Sequence, residues 1–203
     1  MVAVIDYDAG NIKSVEKALL SLGQEVTITR DGEKILHAER VILPGVGAFG
    51  DAMKKLYTYG LVEVIRKCVD RGVPFLGICL GLQLLFESSE ESPQAEGLRI
   101  LEGRIARIPS GDGLKVPHIG WNNLNFPRQS RMFEGIDEGA YAYFVHSYYL
   151  QASDESIVTA TADYGVKIHA SVEKGNVFAC QFHPEKSSDV GMRILSNFLA
   201  IRQ

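Results

Sequence analysis

The stretch Val73-Pro-Phe-Leu-Gly-Ile78, running without a break into Cys79-Leu-Gly-Leu-Gln-Leu-Leu-Phe86, decides the architecture. Its first half is continuously apolar, the mark of a strand covered on both faces and so of a parallel sheet. Its second half opens a helix, Leu80–Phe86. A buried strand thus enters a helix directly, with a thiol at the junction and a glycine two positions to either side, Gly77 and Gly81. That is the layout of a nucleophile elbow with cysteine in place of serine. The glycines are needed because the backbone passes close to its neighbours at so tight a turn. A cysteine at a helix N-terminus also has its thiolate favoured by the helix dipole. Taken alone, the pattern has a competing reading, a small buried cysteine closing a strand.

Upstream, the chain alternates strands and helices. Val2–Ile5, Glu25–Thr29 and Arg40–Leu43 read as strands, and Ile12, Val15, Leu19 and Leu22 fall at near-helical spacing before Gly23 ends the pattern. Asp51–Leu56 and Leu61–Val69 read as helices on either side of Gly60. Such alternation predicts an α/β fold with a mostly parallel, doubly wound sheet flanked by helices. Downstream the character changes. Gly103–Ile108, Tyr141–Val145, Tyr148–Gln151, Ile157–Thr161, Ile168–Val172 and Val177–Phe182 are short strands separated by turn residues, expected as antiparallel additions to the sheet's edge. A last helix carries Val190, Ile194, Leu195, Phe198 and Leu199 on one face. With no repeat or linker to divide it, the chain 1–203 is expected to form one domain.

Composition narrows the function. Of 203 residues, 46% are hydrophobic and 23% charged, and 25 acidic against 21 basic side chains give a net charge of −4. This is a globular composition with no basic footprint for nucleic acid. No apolar run is long enough to span a membrane and no basic leader precedes Val2, so a cytoplasmic protein is expected. Cys68, Cys79 and Cys180 form no CxxC pair, which argues against a disulfide framework or zinc ribbon and for a reducing compartment. There is no HExxH, and the histidines are too scattered for a metal site, so neither metal nor cofactor is expected.

A cysteine nucleophile needs a base. Of the five histidines, His183 stands out because it ends the strand Val177–Phe182 and is followed by Pro184-Glu185. The proline biases His183 toward extended backbone, where residues two apart face the same way. Glu185 can then reach the ring and fix its tautomer. Cys79, His183 and Glu185 make a nucleophile, base and orienter. The other histidines take plainer readings: His146 packed among aromatic residues, His118 in a turn-rich stretch, His37 and His169 on the surface. Cys68 and Cys180 read as core filler. Gly45-Val-Gly-Ala-Phe-Gly50 spells the dinucleotide pattern GxGxxG, but Pro44 precedes it and no acidic residue closes a following strand at the required distance.

The elbow together with Gln181-Phe-His-Pro-Glu185 resembles the class I glutamine amidotransferases. Asp6-Tyr-Asp-Ala-Gly-Asn11, Leu43-Pro-Gly-Val-Gly-Ala-Phe-Gly50, Pro117-His-Ile-Gly-Trp-Asn122 and His146-Ser-Tyr148 extend the resemblance over the whole chain and are similar to the glutaminase subunits that serve histidine biosynthesis. The resemblance implies a flavodoxin-like fold and an attack of Cys79 on the side-chain amide of L-glutamine, with His183 protonating ammonia and then activating water. It implies an oxyanion hole from the backbone of Leu80 and of Val46–Gly47, and substrate contacts from Ser147, Tyr148 and Glu91. Gln83, one helical turn beyond Cys79, lies on the same helix face and can hold the polar end of the substrate. The glutaminase uses up the chain, and ammonia freed into water would largely become inert ammonium. A cyclase subunit, a (β/α)8 barrel in that branch, is therefore implied as heterodimer partner, with Asn11 and Trp121 assigned to the interface. For Trp121 a buried core position is the competing reading. A glutaminase for another synthase, or a stand-alone cysteine γ-glutamyl hydrolase, is the alternative function.

Overall fold

The computed structural model describes residues 1–111 and 113–202. Its first half runs β1 (Val2–Ile5), α1 (Ile12–Ser21), β2 (Val26–Thr29), α2 (Gly32–Leu36), β3 (Arg40–Leu43), α3 (Phe49–Thr58), α4 (Leu61–Asp70), β4 (Phe75–Ile78) and α5 (Leu80–Leu84). Then come β5 (Ser88–Ser89), β6 (Gly103–Arg107), β7 (His118–Asn123), β8 (Tyr141–His146), β9 (Tyr148–Ala152), β10 (Val158–Asp163), β11 (Lys167–Lys174), β12 (Val177–Cys180) and α6 (Ser188–Ala200).

The central sheet has the order β10-β11-β12-β4-β3-β1-β2. From β2 to β12 all neighbours are parallel, and β11 and β10 continue the sheet antiparallel. The order β2-β1-β3-β4-β12 is the flavodoxin-like arrangement, in which ligands bind beyond the carboxyl ends of the strands. Alternation along the strands builds two cores. Ala3, Ile5, Leu43 and Phe75 face one layer with α3 and α4, while Val4, Ile42, Leu76 and Ile78 face the other with α1 and α6. Each fully buried side chain of this size contributes about 1.5–3 kcal/mol.

The α/β expectation holds, with differences in the second half. Only β10 and β11 extend the central sheet antiparallel. β6 and β9 pair with each other in a separate sheet with β5, and β8 pairs with β7 in a two-stranded ribbon. β12 stops at Cys180 and α5 at Leu84, both shorter than the apolar runs suggest. Strand β7 is an element that the turn residues around it conceal, and it carries both His118 and Trp121. His118, expected in a turn, is buried on that strand, and His169, expected on the surface, is also buried, its Nδ1 accepting from Ala152 N–H at 3.1 Å. The short helix α2 follows Asp31, whose carboxylate caps Glu33 N–H at 3.0 Å.

Candidate active site

Four segments at the carboxyl ends of β1, β3, β4 and β12 converge: Asp6–Asn11, Pro44–Gly47, Cys79 and Gln181–Glu185. Cys79 has φ 56° and ψ −110°, a backbone state that costs a non-glycine residue about 1–3 kcal/mol. The neighbours hold it there. Cys79 N–H donates to Cys180 C=O at 2.8 Å, and the packing is so close that a Cβ on Gly77 would run into the Gly81 carbonyl and one on Gly81 into the Leu43 carbonyl. The sequence expectation that both glycines serve close backbone approach is thereby given its atoms.

His183 is extended, at φ −101° and ψ 97°, as the following proline requires. Glu185 reaches it by a different route from the one expected. Pro184–Lys186 forms a turn of 3-10 helix, not a continued strand, and it folds the carboxylate back so that His183 Nδ1 donates to Glu185 Oε1 at 2.7 Å. Both side chains are essentially buried. Burial opposes the charged ring, but hydrogen bonding and charge from Cys79 and Glu185 outweigh it and raise His183 to about 9.

Asn11, expected at the partner interface, also touches the triad. Its Nδ2 donates to Glu185 Oε1 at 2.5 Å, from a left-handed backbone position (φ 71°) at the start of α1. Nothing in the local sequence announces this contact across the fold. Gln181, which opens the His183 motif, also reaches the site. It is fully buried and its Nε2 lies 3.7 Å from Cys79 Sγ. A glutamine closing the apolar run Val177–Cys180 was the available signal, since a buried amide needs partners.

Val46, Gly47, Cys79, Leu80, Gln83, Glu91, Ser147 and Tyr148 all line one cavity of about 380 Å³, joined by Pro117, Val145 and His146. That volume suits a small polar molecule. Glu91 is doubly placed. It faces the cavity, and its carboxylate accepts from Phe49 N–H at 2.8 Å, capping α3 beside Ser92, which takes Gly50 N–H at 3.0 Å. A carboxylate therefore occupies the helix N-terminus that a pyrophosphate would need, which disposes of the GxGxxG pattern. Gln83 does not reach freely into the cavity. Its amide is tied to Tyr148 C=O at 3.1 Å and to Gln181 Oε1 at 3.0 Å.

The oxyanion segment is the main departure. Leu80 N–H donates to Gly45 C=O at 3.3 Å and is not open to a substrate oxygen. Just before it, Pro44 C=O is held by the buried Tyr7 hydroxyl at 2.9 Å. Beyond it the restraint ends, because Val46 is exposed and Gly47, at φ 104°, has open space where a side chain would stand. A larger groove of about 640 Å³ between Phe126 and Glu173 contains no cysteine or histidine, and its Ser130 and Arg131 are both bound to Glu173. Trp121 is about half exposed on the outer face of β7, beside Ile119 and Tyr141, and is not a core residue. Among the described residues no three His, Cys, Asp or Glu side chains group as metal ligands, and no helix is long and apolar enough to cross a membrane.

Fold and site together define a cysteine-dependent amidotransferase. The family model for glutamine amidotransferase class-I matches residues 3–201, and the chain belongs to that family. Two relatives narrow the likeness. Imidazole glycerol phosphate synthase subunit HisH of Moorella thermoacetica is 53% identical over 97% of this chain and 93% of its own length. The protein of the same name from Aquifex aeolicus is 52% identical over 96% and 94%. A crystal structure of a glutamine amidotransferase superposes with a TM-score of 0.77 at 25% identity, covering 98% of this chain and 97% of that one. PurLQS of Thermotoga maritima, at 22% identity and a TM-score of 0.73 over 98% and 96%, shares the fold.

Proposed function

We propose that this chain, as one domain over residues 1–203, is the glutaminase subunit of an imidazole glycerol phosphate synthase in a cytoplasmic setting. It hydrolyses L-glutamine and passes ammonia to a cyclase subunit that makes imidazole glycerol phosphate and an aminoimidazole carboxamide ribotide. The observation that carries it is the buried His183–Glu185 pair beside the strained Cys79, at the mouth of a cavity lined by Gln83, Glu91, Ser147 and Tyr148. The likeness to two named synthase subunits supports the choice of pathway, and three free cysteines suit a reducing compartment.

In this reading the Cys79 sulfur attacks the amide carbon of bound glutamine. The cationic His183 gives its proton to the departing ammonia, leaving a glutamyl thioester. Neutral His183 then takes a proton from water, which attacks the thioester and releases glutamate and the thiol. Glu185, steadied by Asn11, keeps the ring oriented and stabilises its charged form. Glu91 faces the substrate's α-amino group. Each tetrahedral intermediate needs backbone donors, and removing one typically costs about 3–4 kcal/mol. Leu80 N–H serves once Gly45 C=O has moved off it, a motion for which Val46 and Gly47 have room. Partner docking is the natural driver, so the isolated chain works slowly.

Glutamate release measured with the purified chain alone, and then with a cyclase subunit and its nucleotide, tests this. Activity that rises at least about a hundredfold with the cyclase, the value of one oxyanion donor, is the expected result. Brisk turnover indifferent to the cyclase would favour a stand-alone hydrolase and overturn the partner assignment.

A further inference from the structure

An unbroken run of hydrogen bonds leaves the cavity and ends on strand β7, and every proton in it can be assigned. Asn122 Oδ1 accepts from Asn123 N–H at 2.9 Å and its Nδ2 donates to Asp163 C=O at 3.0 Å, so this amide cannot be turned round. The same Nδ2 faces His118 Nε2 at 3.4 Å, which is then the acceptor. His118 Nδ1 carries the proton and donates to His146 Nε2 at 3.1 Å, and His146 Nδ1 donates to Tyr148 C=O at 2.9 Å. That carbonyl's second lone pair takes Gln83 Nε2, whose other N–H goes to Gln181 Oε1. Gln181 is left with only its N–H to present to Cys79 Sγ. Burial depresses His146 to about 3 and His118 to about 4, so both rings stay neutral at physiological pH and keep one tautomer. His118 is clamped between Phe144 and Tyr164, at ring distances of 4.8 and 3.9 Å.

We propose that this relay positions the nucleophile: Gln181 donates a hydrogen bond to the Cys79 sulfur in its charged form, and His118 on β7 and His146 on β8 support that pose through the Tyr148 carbonyl and Gln83. The proposal rests on Cys79 being the nucleophile of the function above. A thiol is a poor acceptor, so the Gln181 contact is worth little while the sulfur is neutral. Once the sulfur is a thiolate the bond becomes charge-assisted. The gain is therefore confined to the reactive state, which is what accelerates a reaction. Turning the Gln181 amide would present its Oε1 to the sulfur and repel the thiolate; Gln83, held by the Tyr148 carbonyl that can only accept, prevents this, and the two imidazoles keep that carbonyl in place.

The test is the pH dependence of Cys79 alkylation by iodoacetamide in the full chain, located by peptide mass spectrometry, alongside glutaminase kinetics with the cyclase. In Gln181→Met, which keeps the volume but donates nothing, alkylation at pH 7 should slow about tenfold, the worth of one hydrogen bond to a charged group. The midpoint should rise, and kcat should fall by a similar factor with KM unchanged. His118→Phe keeps the ring stack and should shift the profile in the same direction, whereas His118→Asn, whose Nδ2 replaces the lost donor, should restore it. A wild-type profile in folded Gln181→Met overturns the proposal. If that variant does not fold, identical profiles for His118→Phe and His118→Asn overturn it instead. If the wild-type chain is alkylated elsewhere but not at Cys79, the nucleophile assignment falls and takes the proposal with it.

Discussion

Cys79 is held at a positive φ by close-packed glycine neighbours, and its sulfur faces a ring whose charged form Cys79 and Glu185 together favour. Three consequences belong to single residues. Cys79→Ala should lower glutamate release about 10,000-fold in the presence of the cyclase, as loss of a nucleophile generally does, with the fold intact by circular dichroism. Glu185→Gln should lower kcat roughly 1,000-fold, since a neutral amide neither fixes the ring nor supports its charge, and single-turnover kinetics would locate the loss in chemistry and not in binding. Gly81→Ala drives a methyl into the Leu43 carbonyl and should cost about 3 kcal/mol in urea unfolding, or prevent folding. At this scale the sequence was informative where chemistry and spacing coincide. The Cys79 elbow and the pairing of His183 with Glu185 were legible because proline and glycine constrain the local backbone, although the 3-10 turn that closes the pairing was not. Asn11 and Gln181 were not, since their roles depend on partners brought together only by the sheet.

Strand β7 shows why one element escaped the sequence. Its turn-like Gly120 and Asn122-Asn123 hide an alternation in which Ile119 and Trp121 point outward while His118 is buried behind them. The first-half strands were legible because a parallel sheet buried on both faces demands continuous apolar runs, which β3 and β4 supply. The relay across β7, β8 and β9 gives an element-scale prediction with opposite signs at two ends of the pH scale. His118 and His146 have depressed values in the folded chain, so the unfolded chain binds more protons below the ordinary 6.5. Stability should fall as pH drops from about 6.5 toward 3. His183 is raised, so the stability it contributes is complete below about 6.5 and is lost as pH rises through about 9. Thermal midpoints across this range should therefore fall on both sides of near-neutral pH, and His118→Phe should flatten the acid arm alone.

For the whole molecule, the outer face of β7 and β8 exposes Ile119, Trp121 and Tyr141 together, with Val46 also exposed at the cavity. Large aromatic side chains of this kind anchor interfaces. Trp121→Ala should weaken cyclase binding at least about 30-fold by calorimetry, a loss typical of a buried interface anchor; an unchanged complex would refute the docking face. The central sheet has a temporal consequence as well. Gln181, which touches Cys79, lies 102 residues further along the chain, and His183 and Glu185 follow it. β4 can form its elbow early, but its catalytic neighbours arrive only when β12, made about a hundred residues later, docks against it. A growing chain on the ribosome therefore carries a cysteine without its base, and glutamine is safe from it until the β12 segment has emerged and docked.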